Sequence, residues 1–415
     1  MKLLKVLVAA VVLAAMVAPA IAEDRLSLSG EMRVRSFHTD VDDGTNNDGT
    51  DTWANQRLRI AGKIAVAEGV SVTFRTDITE GTNWGDSSNF QNNVPGAIGP
   101  IRTNGFGHAR SGAQQQWDRA HLDLTKGIFH LRAGQQYVGS GGTWAVDTQD
   151  SGLSFDIVTA VPVKLFAIVD KDNGSTNQTD AFLYGAFADF KAADSFKAKL
   201  ILAGYNDDGE EDVYLVGVNG TLDLSAVKLF AEIDFFDGDS AVAGVDAFGT
   251  QFFVDASLAA SDTITFGAQL FYALGDDEDK QYVRLGNAFN GWDPVYDVGT
   301  NLDTEEITLT NFFFNVFDFT EQSAGVVGGR LYTALKLSDS LNLGASAAYL
   351  QEEEDAIVEK DGYALAAGLT YAILENTSIQ LQLQYEDMDQ QSNVVGVTLN
   401  DYDAFKAGTG IFVRF

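Results

Sequence analysis

The sequence predicts an all-β protein: a closed, antiparallel, up-and-down β-barrel of about 18 strands that crosses a membrane. Three observations lead there. Apolar and polar residues alternate with period two from Leu26 to Phe415, so successive segments each have a greasy face and a wet face. Connections alternate between tight turns and long polar loops. After the first 22 residues, no apolar run of about 18 offers a helical crossing. Gly (41), Phe (28) and Tyr (13) are abundant, and Pro is held to 5.

Residues 1–22 read as a leader that is removed. Lys2 and Lys5 give a basic start, and Leu7 to Val17 is apolar but too short to span a bilayer. Ala20-Ile21-Ala22 fits the small-x-small cleavage rule, leaving 23–415 as the barrel. Loss of the two lysines shifts the formal charge from −32 to −34, which excludes a nucleic-acid partner. The chain has no cysteine, hence no disulfides and no thiolate metal sites. A hydrophobic content of 45% argues against disorder.

The strands follow in order. Leu26, Leu28, Gly30, Met32 and Val34 share one face, with Glu31, Arg33 and Arg35 on the other. Leu58, Ile60, Gly62, Ile64 and Val66 oppose Arg57, Arg59 and Lys63. After the Ala67-Glu68-Gly69 turn, Val70, Val72 and Phe74 oppose Thr73, Arg75 and Asp77. The same rhythm returns at Ile264–Tyr272, Tyr363–Ile373 and Ile379–Tyr385. Short turns fall near Glu68, Lys126, Val161-Pro162, Ala193-Asp194, Leu224, Ser261, Ser338-Asp339 and Glu375-Asn376. Long polar connections fall near 38–52, 80–115, 138–152, 170–179, 206–211, 237–247, 275–324, 351–361 and 388–401. A strand on each side of these turns and loops gives 18, an even count that puts both termini on the short-turn side. Residues 307–314 are strand-like and would add a hairpin, so 16 and 20 stay compatible.

The stretch from Trp117 to Asp156 is the chemical centre. Ala120, Leu122 and Leu124 share a face, as do Phe129, Leu131 and Ala133. The opposite faces carry Arg119, His121 and Asp123, then His130, Arg132 and Gly134. A two-residue Lys126-Gly127 turn would set Asp123 opposite His130 and His121 opposite Arg132. Such a face cannot sit in an apolar core but can line water. The Gly-rich segment after it, with Asp147, Asp150 and Asp156 in or just beyond it, reads as a loop at 138–152 that folds back into the lumen.

Ten of the 13 arginines lie between Arg25 and Arg132. Arg33, Arg35, Arg57, Arg59, Arg75, Arg119 and Arg132 all occupy polar strand faces, roughly 5–10 residues above the short turns. That places them in one band, balanced by Asp77, expected across from Arg59, and by Asp147 and Asp150. The plain structural alternative is that they only staple the wall.

The last strand, 407–415, carries Ile411, Val413 and Phe415 on one face. It resembles the assembly signal of bacterial outer-membrane proteins. LeuArgAlaGlyGln at 131–135 is similar to the end of the fifth strand of the trimeric general porins. The resemblance implies a homotrimer in the outer membrane, in contact with lipid and lipopolysaccharide, whose Phe415 is read by the barrel-assembly machinery. It also implies an inward third loop facing a basic wall, and passive diffusion of small hydrophilic solutes and ions. Porins of that kind have 16 strands, so a count of 18 leaves open a substrate-specific porin for carboxylates or sugar acids. A structural barrel plugged by 275–324 is the other alternative.

Acidic stretches at Asp40–Asp51, Asp207–Asp212, Asp276–Asp279 and Glu352–Asp355 are oxygen-rich enough for Ca²⁺, but none has the spacing of a calcium loop. A solvated rim is the expectation, with no cofactor. Trp53, Trp84, Trp117, Trp144 and Trp292 fall mostly at strand ends or in loops, where interface anchoring is the default for those at strand ends. The four histidines have no serine placed beside them, and no GxSxG or phosphate loop is present, so an enzyme is not expected.

Overall fold

Alternation with period two leaves each segment one stable option: a strand with its apolar side outward. A computed structural model describes residues 25–42, 49–79, 116–139, 146–171, 181–207, 211–239, 246–274, 280–282, 325–352, 358–392 and 401–415. The first strands are β1 (Leu26–Asp42), β2 (Gly49–Ala67), β3 (Val70–Thr79), β4 (Gln116–Lys126), β5 (Phe129–Gly139) and β6 (Asp147–Ile157). Next come β7 (Val163–Lys171), β8 (Ala181–Ala193), β9 (Phe196–Asp207), β10 (Glu211–Asp223), β11 (Val227–Asp239), β12 (Asp246–Ser261) and β13 (Ile264–Ala273). The chain ends with β14 (Lys280–Tyr282), β15 (Val326–Lys336), β16 (Leu341–Gln351), β17 (Val358–Leu374), β18 (Thr377–Ser392) and β19 (Tyr402–Arg414).

Eighteen of these close an antiparallel ring, with β13 pairing directly to β15 and β19 to β1. The short β14 lies outside the ring, parallel to the Asp246–Phe248 end of β12. Closure leaves no open edge for hydrocarbon to meet. All eight expected short turns are present. Gly69 and Gly127 sit in two of them with φ of 72° and 60°, a conformation costly for any residue with a Cβ.

Apart from local bulges, one of them at Asp118 on β4, side-chain parity is kept around the circuit. Cross-strand partners Arg57, Arg33, Phe412 and Ser378 all face inward, and the same face continues through Arg330, Gln269 and Asp255. The outer face is apolar: Leu331, Leu270, Phe266 and Leu153 are among its exposed side chains. Aromatic residues gather outward at two levels. Phe129, Phe155, Phe190 and Tyr371 lie near the short turns, while Tyr184, Tyr214, Phe235, Phe252, Tyr349 and Tyr363 lie higher. Two such girdles flanking an apolar band mark the two membrane interfaces. Leu331, halfway along β15, is 68% exposed in the isolated chain. Leu331→Arg should therefore cost about 2–4 kcal/mol of stability in lipid. A urea-unfolding midpoint in vesicles that does not move would show that this face is not lipid-facing.

Three expectations are corrected. The hairpin turn is Gly127-Ile128, so Asp123 pairs with Arg132 and His121 with Gly134, each two residues along β5 from the expected partner. Residues 138–152 are mostly wall: Val138 and Gly139 end β5, 147–152 belong to β6, and 140–145 lie outside the described residues. Asp147 and Asp150 thus stand on a strand rather than in an inward loop. Trp53 faces the lumen, stacked 5.3 Å from Phe37, and is no interface anchor. Trp117 does face outward, edge-on to Phe74. The leader (1–22), Trp84, Trp144, Trp292 and the 307–314 segment lie outside the described residues.

Candidate functional site: a lumen with opposed charged walls

The arginines expected to share a band do so. Odd-numbered positions of β1 to β4 and even-numbered positions of β5 face inward, which brings Arg33, Arg35, Arg57, Arg59, Arg75, Arg119 and Arg132 onto neighbouring strands. Arg33 sits across from Arg57, and Arg75 across from Arg119. Four carboxylates hold this crowd together. Arg57 pairs with Glu31, and Arg75 with Asp118. Arg59 donates twice to Asp77, Nε to Oδ1 at 2.5 Å and Nη2 to Oδ2 at 2.8 Å, a bidentate fork that fixes its plane. Arg132 Nε donates to Asp123 Oδ1 at 3.1 Å. Arg35 donates to Asn55 at 3.0 Å and lies over the Phe37 ring at 5.2 Å; Arg119 lies over Tyr137 at 5.7 Å. Seven guanidiniums against Glu31, Asp77, Asp118 and Asp123 leave the sector formally positive.

Beside it, Asp123 gathers His121 (3.2 Å), His130 (3.1 Å) and the Thr73 hydroxyl (3.0 Å), and His130 also reaches Asp156 at 3.1 Å. The register places Ser71 opposite Asp123, a neighbour the sequence did not reveal. The hydroxyl that Asp123 holds is that of Thr73, and both histidines are tied to carboxylates. The cluster is a lumenal ion network.

The acidic counterpart is not where the sequence put it. Asp150 accepts from Thr148 at 3.0 Å on the adjoining wall, and Asp147 only ends β6. The carboxylates that stand off from the arginines are Glu232 and Asp234 on β11. In a ring of 18, β11 lies nine strands from β2, diametrically opposite Arg57 and Arg59. Asp234 is six residues above Lys228 near its turn, and Arg59 eight above Ala67, so the two sit at similar heights. Glu232 accepts from Asn219 at 3.1 Å and Asp234 from Gln251 at 2.9 Å. Gly217 makes room for Asp234, whose Oδ1 occupies the space a Cβ would need. On the next strands Asp255 accepts from Gln269 at 3.0 Å and Tyr332 at 2.9 Å. Glu-x-Asp on one strand face was a legible signal, but only closure of the ring shows what it opposes.

A third sector was not foreseen. Phe166, Ile168, Leu183, Phe187, Leu215 and Phe236 face inward from β7 to β11 and are fully or nearly buried. β7 and β8 are apolar on both faces there, as the run Leu165–Val169 shows, which marks burial on both sides. Part of the lumen face is therefore packed rather than wet. Opposite it, β16, β17 and β19 present Gly344, Ala348, Ala364, Ala366, Gly368, Gly408 and Gly410, with the amides of Gln380, Gln382 and Gln384 between them on β18. Among the described residues no group of three or more histidine or acidic side chains is arranged to hold a metal ion.

No protein-family model and no curated protein sequence matches the chain. Solved structures do. OccAB4 of Acinetobacter baumannii aligns over 94% of this chain and 99% of its own, with a TM-score of 0.56 and 12% identity. OccK3 (OpdO) of Pseudomonas aeruginosa aligns over 94% and 96%, with a TM-score of 0.55 and 12% identity. A structure of Pseudomonas aeruginosa OpdK with vanillate aligns over 94% and 99%, with a TM-score of 0.54 and 10% identity. OpdK is described as an outer membrane protein. At these identities the likeness establishes the fold.

Proposed function

We propose that the chain forms a water-filled channel in a bacterial outer membrane, through which small hydrophilic solutes and ions diffuse. The observation that carries this reading is the ring itself: 18 strands with an apolar face outside and the arginine-bearing face inside. Barrels of about 16–18 strands are wide enough for an aqueous passage. Arginines on β1 to β5 facing Glu232 and Asp234 on β11 would set up a field across the passage, ordering ions and filtering solutes by charge and size. The net positive sector makes anions the preferred cargo at that level. The acidic outer stretches act only within a Debye length of about 8–10 Å.

A substrate-specific channel for carboxylates is the second reading. A guanidinium cluster suits a carboxylate chemically, and one structure of the same fold holds vanillate, an aromatic carboxylate. The packed apolar sector favours a narrower passage than a general diffusion pore. Function is carried by transport, with no enzymatic step. The homotrimer, the lipopolysaccharide contact and the assembly role of Phe415 belong to this proposal. Phe415 is anchored by paired backbone hydrogen bonds with Gly30, at 2.7 and 2.9 Å, which leave its ring outside the wall.

Liposome swelling tests the reading. Vesicles carrying the protein should swell faster in small carboxylates than in ammonium solutes of equal size. No swelling in either would overturn the channel, and equal rates would overturn the anion preference.

A further inference from the structure

We infer that the outer face of the barrel carries a phospholipid site at its short-turn end, built for a head group that joins a phosphate to an ammonium, as in phosphatidylethanolamine. The inference goes beyond the channel reading. It needs only that the barrel sits in an outer membrane with its short turns at the periplasmic, phospholipid leaflet. A cleft of about 620 Å³ opens there, between the β2–β3 turn and the β4–β5 turn and against β6.

The cleft follows from the register. Val70, Leu124, Leu131 and Phe155 are successive cross-strand partners on the outer face, an unbroken apolar row over β3 to β6. Phe129, two residues nearer the turn than Leu131, stacks on Phe155 with ring centroids 5.6 Å apart. These two rings belong to the lower aromatic girdle, the level at which acyl chain gives way to head group. The row therefore meets the chains of a lipid, and the turns meet its head. The two turns are tied together, since Thr125 N donates to Gly69 O at 2.7 Å. Neither turn fills the space between them: Gly69 and Gly127 have no side chain, and no atom lies within 4 Å of where a Cβ at Gly127 would stand.

The charges choose the head group. Glu68 lines the cleft from one turn and Lys126 from the other. Both are exposed, and neither forms an ion pair with another described residue. Lys126 follows Leu124 on the outward face of β4, so its stem can lie on the apolar row while its ammonium reaches a phosphate. Glu68 then faces whatever the phosphate carries. An ethanolamine ammonium donates hydrogen bonds to that carboxylate as well as opposing its charge. A glycerol head group satisfies Lys126 alone and leaves Glu68 beside an uncompensated phosphate.

Native mass spectrometry of the detergent-purified full chain, given equal amounts of dioleoyl phosphatidylethanolamine and dioleoyl phosphatidylglycerol, tests the site without requiring conductance. The wild type should retain the ethanolamine lipid about two- to fivefold more than the glycerol lipid, the range expected of one exposed charge pair. Glu68→Gln should erase that preference, and Glu68→Lys should reverse it. Lys126→Gln should weaken retention of both lipids. Lys336→Gln, at another short turn, should leave the preference intact. Equal retention of the two lipids by the wild type would mean that the cleft holds chains without choosing a head, and would overturn the site. So would a preference that survives Glu68→Gln or is lost in Lys336→Gln. The wild-type comparison stands alone if a variant does not fold. Failure of the channel reading would show separately, as absent swelling.

Discussion

Replacing Lys406 with Met is expected to destabilise the folded barrel by about 3–5 kcal/mol, the cost of leaving one member of a buried ion pair behind. Lys406 Nζ lies 2.8 Å from Glu386 Oε2, and the two are only 3% and 1% exposed. Gln384 Nε2 also donates to Glu386, and sits directly across from Lys406. Without the ammonium, Glu386 is left in a buried site where the Gln384 amide is a poor substitute for water. Adding Glu386→Gln should recover most of the loss, because the pair is then removed as a unit. Urea-unfolding midpoints in detergent for the single and double variants check both claims. If the single variant unfolds with the wild type, the lumen face of β18 and β19 is far wetter than its burial shows.

Changing Arg57, Arg59 and Arg75 together to Ala is expected to abolish the anion preference. The sector then falls from seven cations to Arg33, Arg35, Arg119 and Arg132, against the unchanged Glu31, Asp77, Asp118 and Asp123. One charge acting over about 10 Å of water contributes about 0.4 kcal/mol, close to a factor of two in ion preference. Three charges give a shift of up to about eightfold before salt screening reduces it. Reversal potentials in a potassium chloride gradient measure this directly. An unchanged ion preference and an unchanged size cut-off would mean that these arginines only brace the wall.

The features legible in the sequence were the local ones. Alternation is set by adjacent residues, so the strands and the face of each arginine could be read from Leu26 onward. Tight turns show in two or three residues, which gave the ring count of 18. Asp77 opposite Arg59 followed from reading Ala67-Glu68-Gly69 as the turn, a register the structure reaches with a bulge between Ala65 and Ala67. In the next hairpin the partners moved by two residues because Gly127 and Ile128, not Lys126 and Gly127, make the turn. What escaped was non-local. Nothing near Glu232 and Asp234 announces that they stand across the ring from Arg57 and Arg59. The acidic role therefore went to Asp147 and Asp150, which are closer in sequence but adjoin the same wall. Phe166 and Phe187 lay in runs apolar on both faces, a signal of double burial that the assumption of a wholly polar lumen hid.

The central claim is an open, charge-lined passage through the membrane, and single-channel recording tests it most directly. Purified protein inserted in a planar bilayer between unequal potassium chloride solutions should give discrete conducting steps, with a reversal potential of the sign set by anions. A bilayer that stays electrically silent with the folded protein inserted would contradict the account.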